Sequence, residues 1–165
     1  MAYAIRPFHV EDAGDLAQLT LAAIREIGSR HYSASQVAAW AGRHPEPTRF
    51  IERAEGGAVI TVAADSTDTP VAYTLLEYVE GKGGHLDMLY CHPDNTRQGL
   101  AVQLLIAAEQ HAVMSGQNRL YTEASELARA AFERAGYSVT HRRDFTIAHD
   151  GEEVSIHNYA MEKRL

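Results

Sequence analysis

Cysteine is almost missing from this 165-residue chain. Cys91 stands alone, so no intrachain disulfide can form, and a reducing compartment such as the cytoplasm suits it. An excess of basic residues is missing too. The formal net charge is −7, which argues against the broad cationic face of a general nucleic-acid binder. No apolar run approaches the roughly 18 residues of a membrane helix. The opening MAYAIRPFHVED lacks the apolar segment of a secretion signal. The nine histidines show no His-x-x-x-His spacing and no Cys-x-x-Cys accompanies them, so no metal is expected. The G-x-G-x-x-G and Gly-Lys-Ser/Thr phosphate signatures are also missing. The chain thus reads as cytoplasmic, without a nucleic-acid or membrane partner.

What is present suits one globular domain over residues 1–165. The sequence is 45% hydrophobic and 22% charged, and its length is enough to bury a core. Ala2–Phe8 reads as a strand. Glu11 to about Arg30 carries Leu16, Leu19, Ala23, Ile24 and Ile27 at helical spacing. Ser33 and Gln36 form a capping-box pattern for a helix through about Trp40. His44-Pro45-Glu46-Pro47 breaks the chain, and a short helix follows near Arg49–Ala54. Ala58–Ala64 and Val71–Val79 read as a hairpin, and His85–Cys91 as a fourth strand. Gln98 to about Ser115 is a long helix, Arg119–Glu123 a fifth strand, and Ser125 caps a helix ending at Gly136. Val139–Ala148 and Val154–Met161 close the chain as a hairpin through Asp150-Gly151. The pattern is mixed α/β.

Residues 85–110, HLDMLYCHPDNTRQGLAVQLLIAAEQ, carry the most information. A strand passes through His92-Pro93 into a glycine-bearing helix start. The first N–H groups of a helix lack partners inside it, and its macrodipole adds positive potential there. Gly99 and Ala101 leave room for a phosphate to reach that backbone. A phosphorylated cofactor is the natural ligand.

These residues resemble the acyl-CoA signature of the GNAT superfamily of N-acyltransferases, Gln/Arg-x-x-Gly-x-Gly/Ala. Gly99 and Ala101 match it. Thr96 departs from it, with Arg97 beside it as a source of charge. Ala130-Ala131-Phe132-Glu133-Arg134-Ala135-Gly136-Tyr137 is similar to the family's Phe-Tyr-Glu-x-x-Gly-Phe helix end. Ile5-Arg6-Pro7-Phe8 and Asn158-Tyr159-Ala160-Met161-Glu162-Lys163 look like the ends of bacterial members. The resemblance implies a mostly antiparallel mixed sheet, splayed between strands 4 and 5, with helices on both faces. It implies acetyl-CoA as co-substrate, its pyrophosphate on the backbone N–H groups of Arg97, Gln98, Gly99, Leu100, Ala101 and Val102. Its pantetheine arm would run beside Leu89, Tyr90 and Cys91.

An attacking amine must lose a proton. Period-two alternation puts His85, Asp87 and Leu89 on one face of the fourth strand, and Leu86, Met88 and Tyr90 on the other. His85 titrates near neutrality, and Asp87 is placed to orient it or relay its proton. Glu123, at the end of the fifth strand across the splay, is the third candidate base. Where many family members carry a tyrosine acid, this chain has Phe132. The CoA thiol, at about pKa 8.5, is nevertheless a fair leaving group. Tyr32, Gln36 and Trp40 offer polar and aromatic groups for an acceptor pocket. The expected function is acetyl transfer from acetyl-CoA to a small-molecule or peptide amine by direct attack in a ternary complex. The alternative is a catalytically decayed acyl-CoA sensor, which Phe132 favours. A homodimer is suggested only by the habits of relatives.

Overall fold

The fold follows from where each apolar period can be buried. The computed structural model describes residues 2–44 and 46–165. Among these, the chain forms β1 Ala4–Pro7, α1 Ala13–Ala22, α2 Ala34–Gly42, α3 Pro47–Glu55, β2 Val59–Ala64, β3 Pro70–Val79 and β4 Gly83–Cys91. It continues with α4 Leu100–Met114, β5 Arg119–Ala124, α5 Glu126–Arg134, β6 Ser138–His149 and β7 Glu152–Arg164. No helix among the described residues is long and apolar enough to cross a membrane.

Two elements depart from the sequence reading. The single helix expected from Glu11 to Arg30 is four pieces: a 3-10 turn at Val10–Asp12, then α1, a π-type turn at Ala23–Ile27 and a 3-10 turn at Gly28–Arg30. Its regular ladder ends where packing against α2 takes over. A Cβ on Gly28 would stand 3.5 Å from Cζ3 of Trp40, so only a small residue lets the indole lie on that turn. The short third helix starts at Pro47, two residues ahead of its expected start. Proline at the first helical position has its φ already set and needs no N–H partner. Pro45, in the expected break, lies outside the described residues.

The seven strands form one sheet in the order β1-β2-β3-β4-β5-β7-β6. Every neighbouring pair is antiparallel except β4 and β5, which run parallel. At the last hairpin, Asp150 and Gly151 have φ of 49° and 77°, the positive pair that a tight two-residue turn requires. Strand β3 is buried from Pro70 to Leu76, as a central strand covered on both sides must be. On one face α1 and α3 pack Leu16, Leu19 and Phe50 against Val62, Tyr73 and Leu75. On the other, α4 and α5 pack Leu105, Ala108 and Phe132 against Leu76, Leu86 and Leu120.

A bulge in β4 corrects the expected face assignment. Leu75 pairs with Met88 but Leu76 pairs with Leu86, so Asp87 is an extra residue. An inserted residue reverses the alternation beyond it. Met88 and Tyr90 therefore join His85 and Asp87 on the α1–α3 side, where Met88 and Tyr90 pack against that core. Leu89 joins Leu86 on the α4 side.

Candidate active site

The parallel pairing of β4 with β5 covers only Gly84–Leu86 against Leu120–Thr122. It ends where the Thr122 hydroxyl donates to the Leu86 carbonyl at 2.7 Å. β4 then runs on to Cys91 without β5 beside it, which opens the expected splay at the carboxyl ends of two parallel strands. α4 begins at that same end. Arg97 and Gly99 take left-handed φ of 62° and 74°, turning the chain sharply into the helix. The first helical bond is from Gln103 N–H to the Gly99 carbonyl. The N–H groups of Leu100, Ala101 and Val102 therefore precede the ladder, and no side chain caps them. A Cβ on Gly99 would meet nothing within 4 Å, so the space before these donors is open. Main-chain donors, a 15-residue helix dipole and open space fit a pyrophosphate.

The space beyond the splay is a cleft of about 470 Å³, within the range of small-molecule sites. Asp87, Met88, Leu89 and Tyr90 of β4 line one wall, and Thr122, Glu123 and Ala124 of β5 face them. Cys91 lies outside this lining. Burial pushes its thiol up to about 11, so it is no thiolate nucleophile at neutral pH.

His85, Asp87 and Glu123 belong to one chain of ionic contacts. His85 Nδ1 faces Glu77 at 3.0 Å and its Nε2 faces Glu123 at 2.9 Å. Arg53 donates to Asp87 and to Glu77, both at 2.9 Å. The connected order is Asp87–Arg53–Glu77–His85–Glu123. Burial opposes charge on His85, but the hydrogen bonds to Glu123 and Glu77 outweigh it and raise its pKa. Burial likewise opposes charge on both glutamates, and the bonds from His85 hold each below the usual carboxylate range. Asp87 and Glu123 reach the cleft, whereas His85 lies behind Glu123, outside the lining. Glu77, His85 and Asp87 could gather around a cation, their nearest ligand atoms lying within 4.8 Å of one another. The Arg53 guanidinium already bridges the two carboxylates.

Two of the three expected acceptor residues reach the cleft. Trp40 and Tyr32 line it, their rings edge to face with centroids 5.7 Å apart. Gln36 does not. Its carbonyl oxygen accepts from Ser33 N–H at 2.8 Å in the capping box and its amide donates to the Ser155 carbonyl of β7 at 2.9 Å, so both ends are engaged away from the cleft. Ser125 stands at the start of α5 but its hydroxyl makes no capping bond. The Glu126 N–H donates instead to the Tyr32 hydroxyl at 2.9 Å, and that hydroxyl donates to the His157 carbonyl. Phe132 is buried in the cleft wall and stacks edge to face on Tyr137.

Residues that local spacing did not reveal complete the cleft. Arg53 and Glu77 come from α3 and β3 and meet the site only through tertiary packing. Arg43, His44, Arg143 and Asn158 line the cleft from the end of α2 and from β6 and β7. Their signal is long-range pairing, such as Arg143 opposite Asn158, which periodicity cannot supply.

Residues 29–153 match the model of the acetyltransferase (GNAT) domain family. A crystal structure of a GCN5-related N-acetyltransferase from Rhodopseudomonas palustris is 30% identical, with a TM-score of 0.82. The match covers 100% of this chain and 97% of that one. YafP of Escherichia coli K12, described as an uncharacterized N-acetyltransferase, is 28% identical over 81% of this chain and 79% of its own length. The PaiA N-acetyltransferase of Thermoplasma acidophilum, solved in complex with coenzyme A, shares 16% identity, full coverage of both chains and a TM-score of 0.78.

Proposed function

The chain belongs to the GNAT acetyltransferase family, and from that premise we propose that it moves an acetyl group from acetyl-CoA to an amine bound in the cleft. The observation that carries this reading is the meeting of two sites at one splay: an uncapped helix start in open space, and a titratable relay ending at Glu123. Acetyl-CoA supplies an activated acetyl thioester. The N–H groups of the Arg97–Val102 turn hold its pyrophosphate, and the free edge of β4 from Leu89 to Cys91 guides its pantetheine arm. A main-chain N–H on that edge stabilises the charge that develops on the thioester oxygen.

Glu123 and Asp87 receive the acceptor as its ammonium form. Glu123 accepts the hydrogen bond that aligns the nitrogen and passes to His85 the proton that the ammonium must lose before attack. The second proton, lost from the nitrogen as the new C–N bond is secured and the C–S bond breaks, goes to water. Imidazole is the side chain suited to take up and release a proton near neutral pH. Against the cost of burial, the hydrogen bonds of His85 to Glu123 and Glu77 raise its affinity for that proton, so neutral His85 is the proton sink. His85 acts through Glu123 and is a positioning residue. Phe132 cannot protonate the leaving thiolate, whose own acidity makes that unnecessary. Phe132 also favours a second reading, an acyl-CoA sensor without turnover. The relay favours transfer, because binding alone needs no proton sink.

Calorimetric titration with acetyl-CoA tests the first site. Micromolar binding is expected, with loss of about a hundredfold or more in Gly99→Glu, whose side chain would fill the phosphate space and add like charge. No binding by folded wild type removes the reading. Binding without release of CoA thiol across a broad amine panel favours the sensor.

A further inference from the structure

The charges around the cleft do not match a simple amine. Its two acids already have partners, Asp87 in Arg53 and Glu123 in His85. Neither of its two arginines is in an ion pair among the described residues, although the charge of Arg143 reaches Glu123 and, after burial and the His85 bond, adds to the forces that set its pKa. Arg143 donates to the Asn158 amide oxygen, at 3.0 Å, and lies 5.6 Å over the Phe145 ring. Arg43 makes no ion pair or side-chain hydrogen bond among the described residues. Other basic residues, Arg25, Arg30 and Arg97 among them, also stand outside ion pairs among the described residues, so what bears on the ligand is that Arg43 and Arg143 both line this cleft. Beside Arg43, His44 Nε2 is buried without a partner among the described residues, another polar atom left open on the same wall.

We infer that the acceptor is a small amine that also carries a carboxylate, its ammonium at Glu123 and its carboxylate at Arg143, with Arg43 assisting. This rests on the transfer reading above. The spacing suits it. Glu123 pairs with Ala160 across to β7, and Arg143 pairs with Asn158 across to β6. Two strand spacings sideways and two residues along give roughly 12 Å between the two backbone positions. Arg143 is held back at Asn158 and over Phe145, and it makes no ion pair with Glu123 among the described residues, so the two charges face the cleft with space for a ligand between them. A guanidinium presents paired donors that fit a carboxylate, and Phe145 and Asn158 hold it in place. Trp40 and Tyr90 supply apolar wall for the remainder of such a molecule.

Matched probes test this. L-phenylalanine is compared with 2-phenylethylamine, and L-methionine with 3-(methylthio)propylamine, each at saturating acetyl-CoA with release of CoA thiol as readout. Thermal shift of the CoA-loaded protein by each probe gives the same comparison without turnover. The acid is expected to exceed its plain amine by about tenfold to a hundredfold in kcat/KM or in affinity. Arg143→Gln should reduce that ratio by about tenfold, mostly through KM, and Arg143→Lys should restore part of it. Plain amines equal to or better than the acids overturn the inference, as does a ratio unchanged by Arg143→Gln. Failure of wild type to bind acetyl-CoA would instead bring down the transfer reading.

Discussion

The two halves of the cleft are built from different material. In the function proposed above, the donor half is main chain: the left-handed turn at Arg97 and Gly99, the uncapped start of α4 and the free edge of β4. The acceptor half proposed there is side chain: Asp87, Arg53, Glu77, His85 and Glu123 in one relay, with Tyr32, Trp40 and Arg143 around it. Main-chain donors survive most substitutions, because every residue except proline supplies the same N–H. A side-chain relay depends on five residues from four elements, and losing one strands its neighbours. The donor half should therefore be sensitive at a single glycine, and the acceptor half at each member.

Glu123→Gln should show the largest effect within the acceptor half. It keeps the shape and removes the charge that aligns the ammonium. A fall in kcat of about a hundredfold to ten-thousandfold is expected, the usual worth of a positioned proton acceptor. The dissociation constant of acetyl-CoA should stay unchanged. A fall of less than tenfold, matched by a larger one in Asp87→Asn, would move the acceptor's partner to the bulge residue.

Glu77→Gln should act less and in a characteristic way. Glu77 does not touch the cleft, but with Glu123 it is one of the two carboxylates whose hydrogen bonds raise the pKa of His85, to which the charge of Asp87 adds. Its loss should move the acidic limb of the kcat/KM profile to lower pH, while the plateau changes little. The stability signs follow from the same contacts. The raised His85 stabilises the fold below its ordinary 6.5, and that contribution is lost as pH rises through the raised value. The lowered Glu77 and Glu123 contribute above their ordinary 4.5 and lose it as pH falls through their lowered values. Melting curves of wild type and Glu77→Gln should differ most between these two regions. An unmoved acidic limb in Glu77→Gln would remove His85 as the proton sink.

The same division explains what the sequence made legible. The donor half is local. A strand, a turn with Gly99 and a periodic helix lie within 30 residues, so the β4–α4 junction could be read from spacing and the splay from the family resemblance. The acceptor half is assembled across the fold. His85, Asp87 and Glu123 could be singled out as types near the splay, but their bridges Arg53 and Glu77 lie elsewhere in the chain. Period-two reasoning failed at Asp87 because nothing local marks an inserted residue, and that one residue moved Leu89 to the opposite face. Gln36 failed for a related reason. The capping box was legible, but not that the Gln36 amide turns to the Ser155 carbonyl of β7 and stays outside the cleft lining.

The smallest expected effect tests whether the donor half really is main chain. Arg97 is exposed and holds φ at 62°, a conformation that costs about 1–2 kcal/mol in a residue with a Cβ. Two explanations compete for an arginine there: a phosphate contact by its guanidinium, or simple tolerance in a solvated turn. Arg97→Gly separates them, because glycine keeps the N–H and relieves the conformation while deleting the charge. An exposed ion pair contributes at most about 1 kcal/mol. The affinity for acetyl-CoA should therefore fall by no more than about fivefold at moderate salt, and less as salt increases. The melting temperature should hold or rise slightly, since relief of the left-handed strain opposes the extra freedom of glycine in the unfolded chain. A loss beyond tenfold that persists at high salt would make Arg97 a side-chain ligand in its own right, and the donor half would then depend on residue identity just as the acceptor half does.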